Sequence, residues 1–361
     1  MKNRSKISGG QLVWLLFTGR LSGGLLFTGD AFAGFSFTDC LWYCVCNALL
    51  LFVLFIPSLL VFRHNQGSVA MAHSFGKGIG KTVDTAYILL CVFVLALEMV
   101  QFADFARKSM KTTFSVPVLT VVFVTVCFLA SLYGIQPLAR CALVVGVFSL
   151  LCLLLFEGAL FSEMRLLHFP PQQTGAVARI FWKAVRDLPR SAEVTVWGLL
   201  YPYINGSSTK TAGVFSAVTA VLTAVVSMTA IAVLGDFAGM TFYPYYTAVT
   251  ASELVFFERM ELLVVAVWLG TFFVRFTLFC QLLNNTTVRL VGKKRRIWVG
   301  ILVFSLLVAG TLWIQQQSFV RDWKGITWIY GGFLLVFCVL LPLTLAVSKL
   351  WKQRMIREAK V

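Results

Sequence analysis

The chain has 361 residues, of which 59% are hydrophobic and 13% charged; a soluble domain would be about a quarter charged. That balance excludes an ordinary water-soluble enzyme and gives a polytopic helical membrane protein. The net charge of +16, from 31 basic and 15 acidic residues, does not indicate nucleic acid: the basic runs Lys293–Arg296 and Lys349–Lys360 adjoin apolar spans, where they set topology and attract an anionic leaflet.

The first apolar segment, 11–35, follows Lys2, Arg4 and Lys6, and Ala31-Phe32-Ala33 imitates a signal-peptide cleavage site. The run is too long for a signal and carries Arg20 in its middle, so it reads as a retained span. Gly19, Arg20, Leu21, Ser22, Gly23 and Gly24 interrupt it. Each glycine weakens a helix by roughly 1 kcal/mol relative to alanine. Inside a bilayer, freed backbone groups must find other partners, so such a break implies a binding site or a cavity. Close packing of a neighbouring helix is the competing reading.

Further apolar runs lie near 40–62, 83–103, 115–133, 139–157, 194–205, 212–235, 260–283, 297–315 and 328–349, giving about ten spans in all. The sixth, Val194 to Tyr203, is short and is interrupted by Gly198 and Pro202 before Asn205-Gly206. Broken first and sixth spans predict a five-plus-five inverted repeat with a midplane site; two unrelated kinked helices are the alternative. The predicted organisation is one membrane domain: a first repeat over 1–165, an amphipathic linker over 166–193, and a second repeat with a basic tail over 194–361. Loop charges favour both termini in the cytoplasm.

In the linker, Val177, Ile180, Phe181, Ala184, Val185 and Leu188 share one helical face and Arg179, Lys183, Arg186 and Asp187 the other, which predicts an interfacial helix. The loops 63–81 and 236–257 are predicted to lie on opposite sides and to lid the two mouths of a pathway. A helical turn is expected after Phe242-Tyr243-Pro244-Tyr245-Tyr246. Gly76 to Thr82 imitates a phosphate-binding loop, but Phe75 stands where that motif needs glycine. Nine cysteines and three histidines give no metal-ligand spacing. No metal, cofactor or enzymatic constellation is expected.

Two stretches carry a resemblance. Lys6-Ile7-Ser8-Gly9-Gly10-Gln11-Leu12, leading into the glycine-rich span, resembles the start of the spore germination permeases, the B subunits of nutrient germinant receptors in endospore-forming bacteria. Phe257-Glu258-Arg259-Met260-Glu261, followed by Val267-Trp268-Leu269-Gly270, resembles that family's entrance to span eight, and Leu200-Tyr201-Pro202-Tyr203 its end of span six. Ser22-Gly23-Gly24 departs from the family's commoner Gly-Thr-Gly. The resemblance implies the LeuT-type five-plus-five fold of amino-acid/polyamine/organocation transporters. It also implies an amino-acid or similar germinant, the spore inner membrane, and partnership with an A subunit and a lipoprotein C subunit. An active symporter or exchanger, and a scaffold or channel component with a vestigial pocket, are the competing functions.

Amino-acid capture suits these spans. Unwound N–H groups at Ser22, Gly23 and Gly24 can donate to a carboxylate, and carbonyls near Trp197, Gly198 and Leu199 can accept from an ammonium. Trp197 and Tyr201, one turn apart, either wall a side-chain pocket or simply pack. Glu98, deep in span three, needs a partner: it pairs with Arg20, binds a ligand ammonium, or relays protons, with Phe102 on the same face. Arg275, deep in span eight, is expected to pair with Glu157 or Glu98. Glu258, Arg259 and Glu261 are expected to form a local pair.

Overall fold

The computed structural model describes residues 6–25, 34–62, 67–109, 115–171, 176–188, 191–252, 260–292, 298, 300–301, 304–305, 308–310 and 323–358. Residues 26–33 of the first apolar segment, most of 297–315, the Lys293–Arg296 cluster, and Glu258 with Arg259 lie outside them.

The fold is an all-α membrane bundle. Helices α1 (Gly9–Gly24), α2 (Phe37–Phe62), α3 (Ser68–Phe75), α4 (Lys77–Ser109), α5 (Val116–Ser131) and α6 (Ile135–Leu160) come first. Then follow α7 (Ala176–Asp187), α8 (Ala192–Thr195), α9 (Trp197–Leu200), α10 (Ser208–Leu234), α11 (Pro244–Ala251) and α12 (Met260–Val291). The last described span begins as α13 (Trp323–Leu334), passes through π-helical Leu335–Leu340 and continues as α14 (Leu341–Glu358).

Among the described residues, six helical stretches are long and apolar enough to cross a membrane: Phe37–Phe62, Lys77–Arg107, Ile135–Leu160, Ser208–Gly239, Met260–Val291 and Ile329–Trp351. Pro117–Ser131 is apolar but shorter. With no water in the hydrocarbon to hold backbone groups, helices satisfy them internally, and the outward faces stay apolar, as at Leu49, Leu89, Val144, Leu151 and Leu154. Two helices outrun their apolar cores. α4 starts six residues before the expected 83 and α12 runs to Val291 instead of 283, because Lys77, Lys81, Asn285 and Arg289 extend the helix as polar ends outside the apolar window.

Both ends of the bundle are tied. At one end, β1 (Ile7–Ser8) pairs in parallel with β2 (Ile204–Asn205), Ile7 opposite Ile204. Ser8 and Gln11 form a capping box that starts α1. Tyr203 accepts from Asn285 Nδ2 (3.1 Å) at the same end. At the other end, Tyr43 donates to Asp187, which docks α7 on α2, and Tyr243 donates to Asp104 (3.0 Å). The expected helix forms and buries Ile180, Ala184 and Leu188 of its apolar face, but Val177 and Phe181 of that face stay exposed, and Asp187 of the polar face is buried because it accepts from Tyr43.

The core runs between α1, α4, α6, α10 and α12, which pack on one another in the centre of the bundle. α1 and α6 meet closely. Thr18 donates its hydroxyl to Ala142 O (3.1 Å), and a Cβ at Gly146 would sit 2.6 Å from the Trp14 ring.

Candidate functional site

The glycine-rich part of α1 stays helical. The helix runs through Gly19, Arg20, Leu21, Ser22 and Gly23 and ends at Gly24, where Leu25 N donates to Leu21 O (3.0 Å). Ser22, Gly23 and Gly24 therefore do not present unwound N–H groups; they form the last turn. What this turn offers is carbonyl oxygen, the negative end of the helix dipole.

A guanidinium binds one turn earlier, at Gly19 O. Arg275, in the middle of α12, donates Nη1 to Gly19 O (3.0 Å), and Ser22 Oγ donates to the same carbonyl (2.7 Å). Both glycines face it, and Gly23 is the one whose missing Cβ matters. A Cβ at Gly19 would lie 3.6 Å from the Arg275 side chain, and one at Gly23 would lie 3.2 Å from Nη1. The spacing i, i+4 puts both on one face of α1.

Arg275 then meets two carboxylates. Its Nη2 is 2.6 Å from Glu98 Oε1 on α4, and its Nη1 is 2.8 Å from Glu193 Oε1 on α8. All three side chains are at least nine-tenths buried. Glu193 Oε2 has no hydrogen-bond partner. Tyr330, on α13, which packs on α8, is buried. Four elements, α1, α4, α8 and α12, thus converge on one ion cluster with a formal surplus of one negative charge. Glu157 is not part of it; that carboxylate accepts from Thr229 Oγ1 (2.5 Å) and Tyr245 OH (2.9 Å) near the α7 end.

The sixth span is in pieces. α8 and α9 are separated by Val196 (φ −95°, ψ 2°), and a 3-10 turn over Tyr201–Tyr203 leads into β2. Pro202 cannot continue the α ladder. Trp197 is buried with its ring 4.7 Å from Phe55. Tyr201 stacks on Phe62 (4.2 Å), and its OH reaches Phe62 O (3.4 Å). Gly198 faces α3 and α4: a Cβ there would meet Ser68 Oγ at 2.6 Å and Tyr87 OH at 2.8 Å. Leu199 is buried beside it.

The predicted residues fall into three groups. Ser22, Gly23 and Glu98 sit with or beside the ion cluster, and Gly24 closes the turn. Trp197, Gly198, Leu199 and Tyr201 continue along the broken span toward the end that carries α3. Phe102 belongs to neither; it stacks with Phe123, Trp268 and Phe272 in the α4–α5–α12 packing (4.7–5.7 Å). Glu193 was absent from the sequence candidates. Its signal was an acid directly preceding the short apolar run at Val194.

The family model for spore germination proteins, a permease family, matches residues 6–320. No curated protein matches the chain.

Proposed function

We infer the function from one premise: the chain belongs to the spore germination protein family, and with its apolar helices it is a multi-pass membrane permease of germination. We propose that it is the B subunit of a nutrient germinant receptor. In that role it senses an amino acid or similar small molecule in the spore inner membrane, beside an A subunit and a lipoprotein C subunit. The observation that carries this reading is the Glu98–Arg275–Glu193 cluster at the broken sixth span. Two carboxylates against one guanidinium leave a negative charge buried, which is costly without a counter-charge. The ammonium of an amino-acid-like ligand supplies that charge. α9 and the aromatic rings of Trp197 and Tyr201 then border the rest of the molecule.

The order of elements supports a five-plus-five repeat. Two long helices flank the eight-residue α3 in the first half (α2, α3, α4), and two flank the eight-residue α11 in the second (α10, α11, α12). Short helices at opposite ends of the bundle are also what an alternating-access symporter needs, which is the second reading. Ligand uptake into proteoliposomes would favour it over sensing alone.

Two expected results follow. Purified protein screened against the twenty amino acids should be stabilised by at least one of them. Ligand at a thousandfold over its Kd adds about 4 kcal/mol, which moves Tm by several degrees. The matching α-hydroxy acid, lacking the ammonium, should give no shift; equal shifts from both would remove the role of the cluster. The basic tail favours both termini in the cytoplasm, so cysteines introduced beyond Glu358 should label only from the inner side. External labelling of the tail would reverse the topology.

A further inference from the structure

We propose that α3 is a plug over one mouth of the bundle, clasped shut by His73, Asp84 and Arg289, and that its opening is coupled to the broken span through Gly198.

The clasp joins three elements. His73, in the last turn of α3, lies with Nε2 2.8 Å from Asp84 Oδ2 on α4. A carboxylate only accepts, so His73 donates from Nε2. The other oxygen of Asp84 is 3.3 Å from Arg289 Nη2, near the end of α12, and the same nitrogen donates to Thr286 Oγ1 (3.0 Å). Asp84 is buried, with 1% of its side chain exposed, whereas His73 keeps 38%. A buried carboxylate held by two groups, one of them half in water, is a closure that opens from the water side.

The sequence makes a seat for the histidine. A Cβ at Gly80 would lie 2.2 Å from His73 Nδ1 and 2.4 Å from Cγ. The ring rests directly on the bare backbone of α4, and no side chain can share that place. Gly76, at φ +154°, turns the chain between α3 and α4 so that the two helices fold against each other.

The other end of α3 touches the broken span. A Cβ at Gly67 would be 3.0 Å from Gly198 O, and one at Gly198 would be 2.6 Å from Ser68 Oγ. Gly67 lies against the Gly198 carbonyl, and Gly198 in turn lies against the Ser68 side chain. A shift of α9 must displace the start of α3, and the clasp at its far end resists that displacement. α3 is short, eight residues, and is seated by the buried Val69, Met71 and Ala72, so the clasp acts on top of that packing and secures its far end. This coupling rests on the proposal that ligand acts at the broken span; the clasp itself does not.

The test reads α3 in the absence of ligand, by amide hydrogen exchange of the full chain in nanodiscs. Asp84→Asn and His73→Ala should each raise exchange over Ser68–Phe75 at least tenfold, with the centre of α12 unchanged. Gly80→Ala is the sharper variant. Inside a helix this change ordinarily stabilises, and it removes no charge. Here it should push the His73 ring out and loosen α3 as the charge variants do. Slower or unchanged exchange over Ser68–Phe75 in Gly80→Ala would overturn the clasp. Exchange that rises everywhere in Asp84→Asn would show a global fault, in which case Gly80→Ala alone decides. If the clasp passes and amino acids nevertheless fail to stabilise the protein, the ligand reading falls and the clasp stands.

Discussion

Arg275→Gln should leave almost no protein in the membrane, while Glu98→Gln and Glu193→Gln should each accumulate to within about twofold of the parent. The asymmetry comes from charge. The intact cluster has one cation and two carboxylates, all buried. Removing the guanidinium strands both acids and takes away one of the two side-chain donors to Gly19 O, leaving it Ser22 Oγ. Breaking a buried pair in this way costs about 3–5 kcal/mol, a large part of a typical folding free energy of about 5–15 kcal/mol. Removing either acid instead leaves one cation and one carboxylate, a balanced pair. Glutamine keeps the shape and still accepts a hydrogen bond from Arg275 through its amide oxygen. The variant Arg275→Gln with both acids also changed to Gln should recover abundance. Quantitative blotting of spore membranes reads all four. Equal depletion in Arg275→Gln and Glu98→Gln would show that the surplus charge plays no part in how the cluster is held.

The second large effect is steric. Gly198→Leu and Gly23→Leu should abolish the nutrient response with protein still present at half the parental level or more. At Gly198 even the first carbon of a side chain would meet Ser68 Oγ at 2.6 Å and Tyr87 OH at 2.8 Å, so α9 and α3 must separate. Overpacking of this kind costs about 1–3 kcal/mol, which a membrane bundle of this size tolerates. At Gly23 the new side chain would press on Arg275 Nη1, 3.2 Å away, and shift the guanidinium within the cluster without parting it from its carboxylates. Gly198→Ala combined with Ser68→Gly should regain part of the response, because the nearest obstructing oxygen is gone. Spore germination against germinant concentration, beside membrane abundance, measures it. A normal dose curve in both leucine variants would take the broken span out of the mechanism.

Much of the bundle was legible because lipid imposes one strong pattern. Long apolar runs must be helices, and the amphipathic face at Ile180 and Ala184 had to dock while Trp182 stayed outside. Glu98 and Arg275 stood out for the same reason: an ion inside a span needs a partner. Which partner was not legible, since Glu98 and Arg275 are 177 residues apart and only packing brings them together. The glycines of α1 were read as a break and turn out to be a smooth surface for Arg275; composition cannot separate those uses. Glu193 was hidden by its neighbourhood, an arginine-rich linker in which an acid looks like surface. Gly80 lies in a stretch that fails as a phosphate motif, and its purpose is visible only with His73 lying across it.

The account turns on a buried negative surplus that receives a positive group of the ligand. The most direct measurement is the germinant dose curve of spores carrying Glu193→Gln, read beside the abundance of the protein in their membranes. Abundance near the parent with a response shifted at least tenfold to higher germinant is the predicted result. An unshifted dose curve at normal abundance would contradict it.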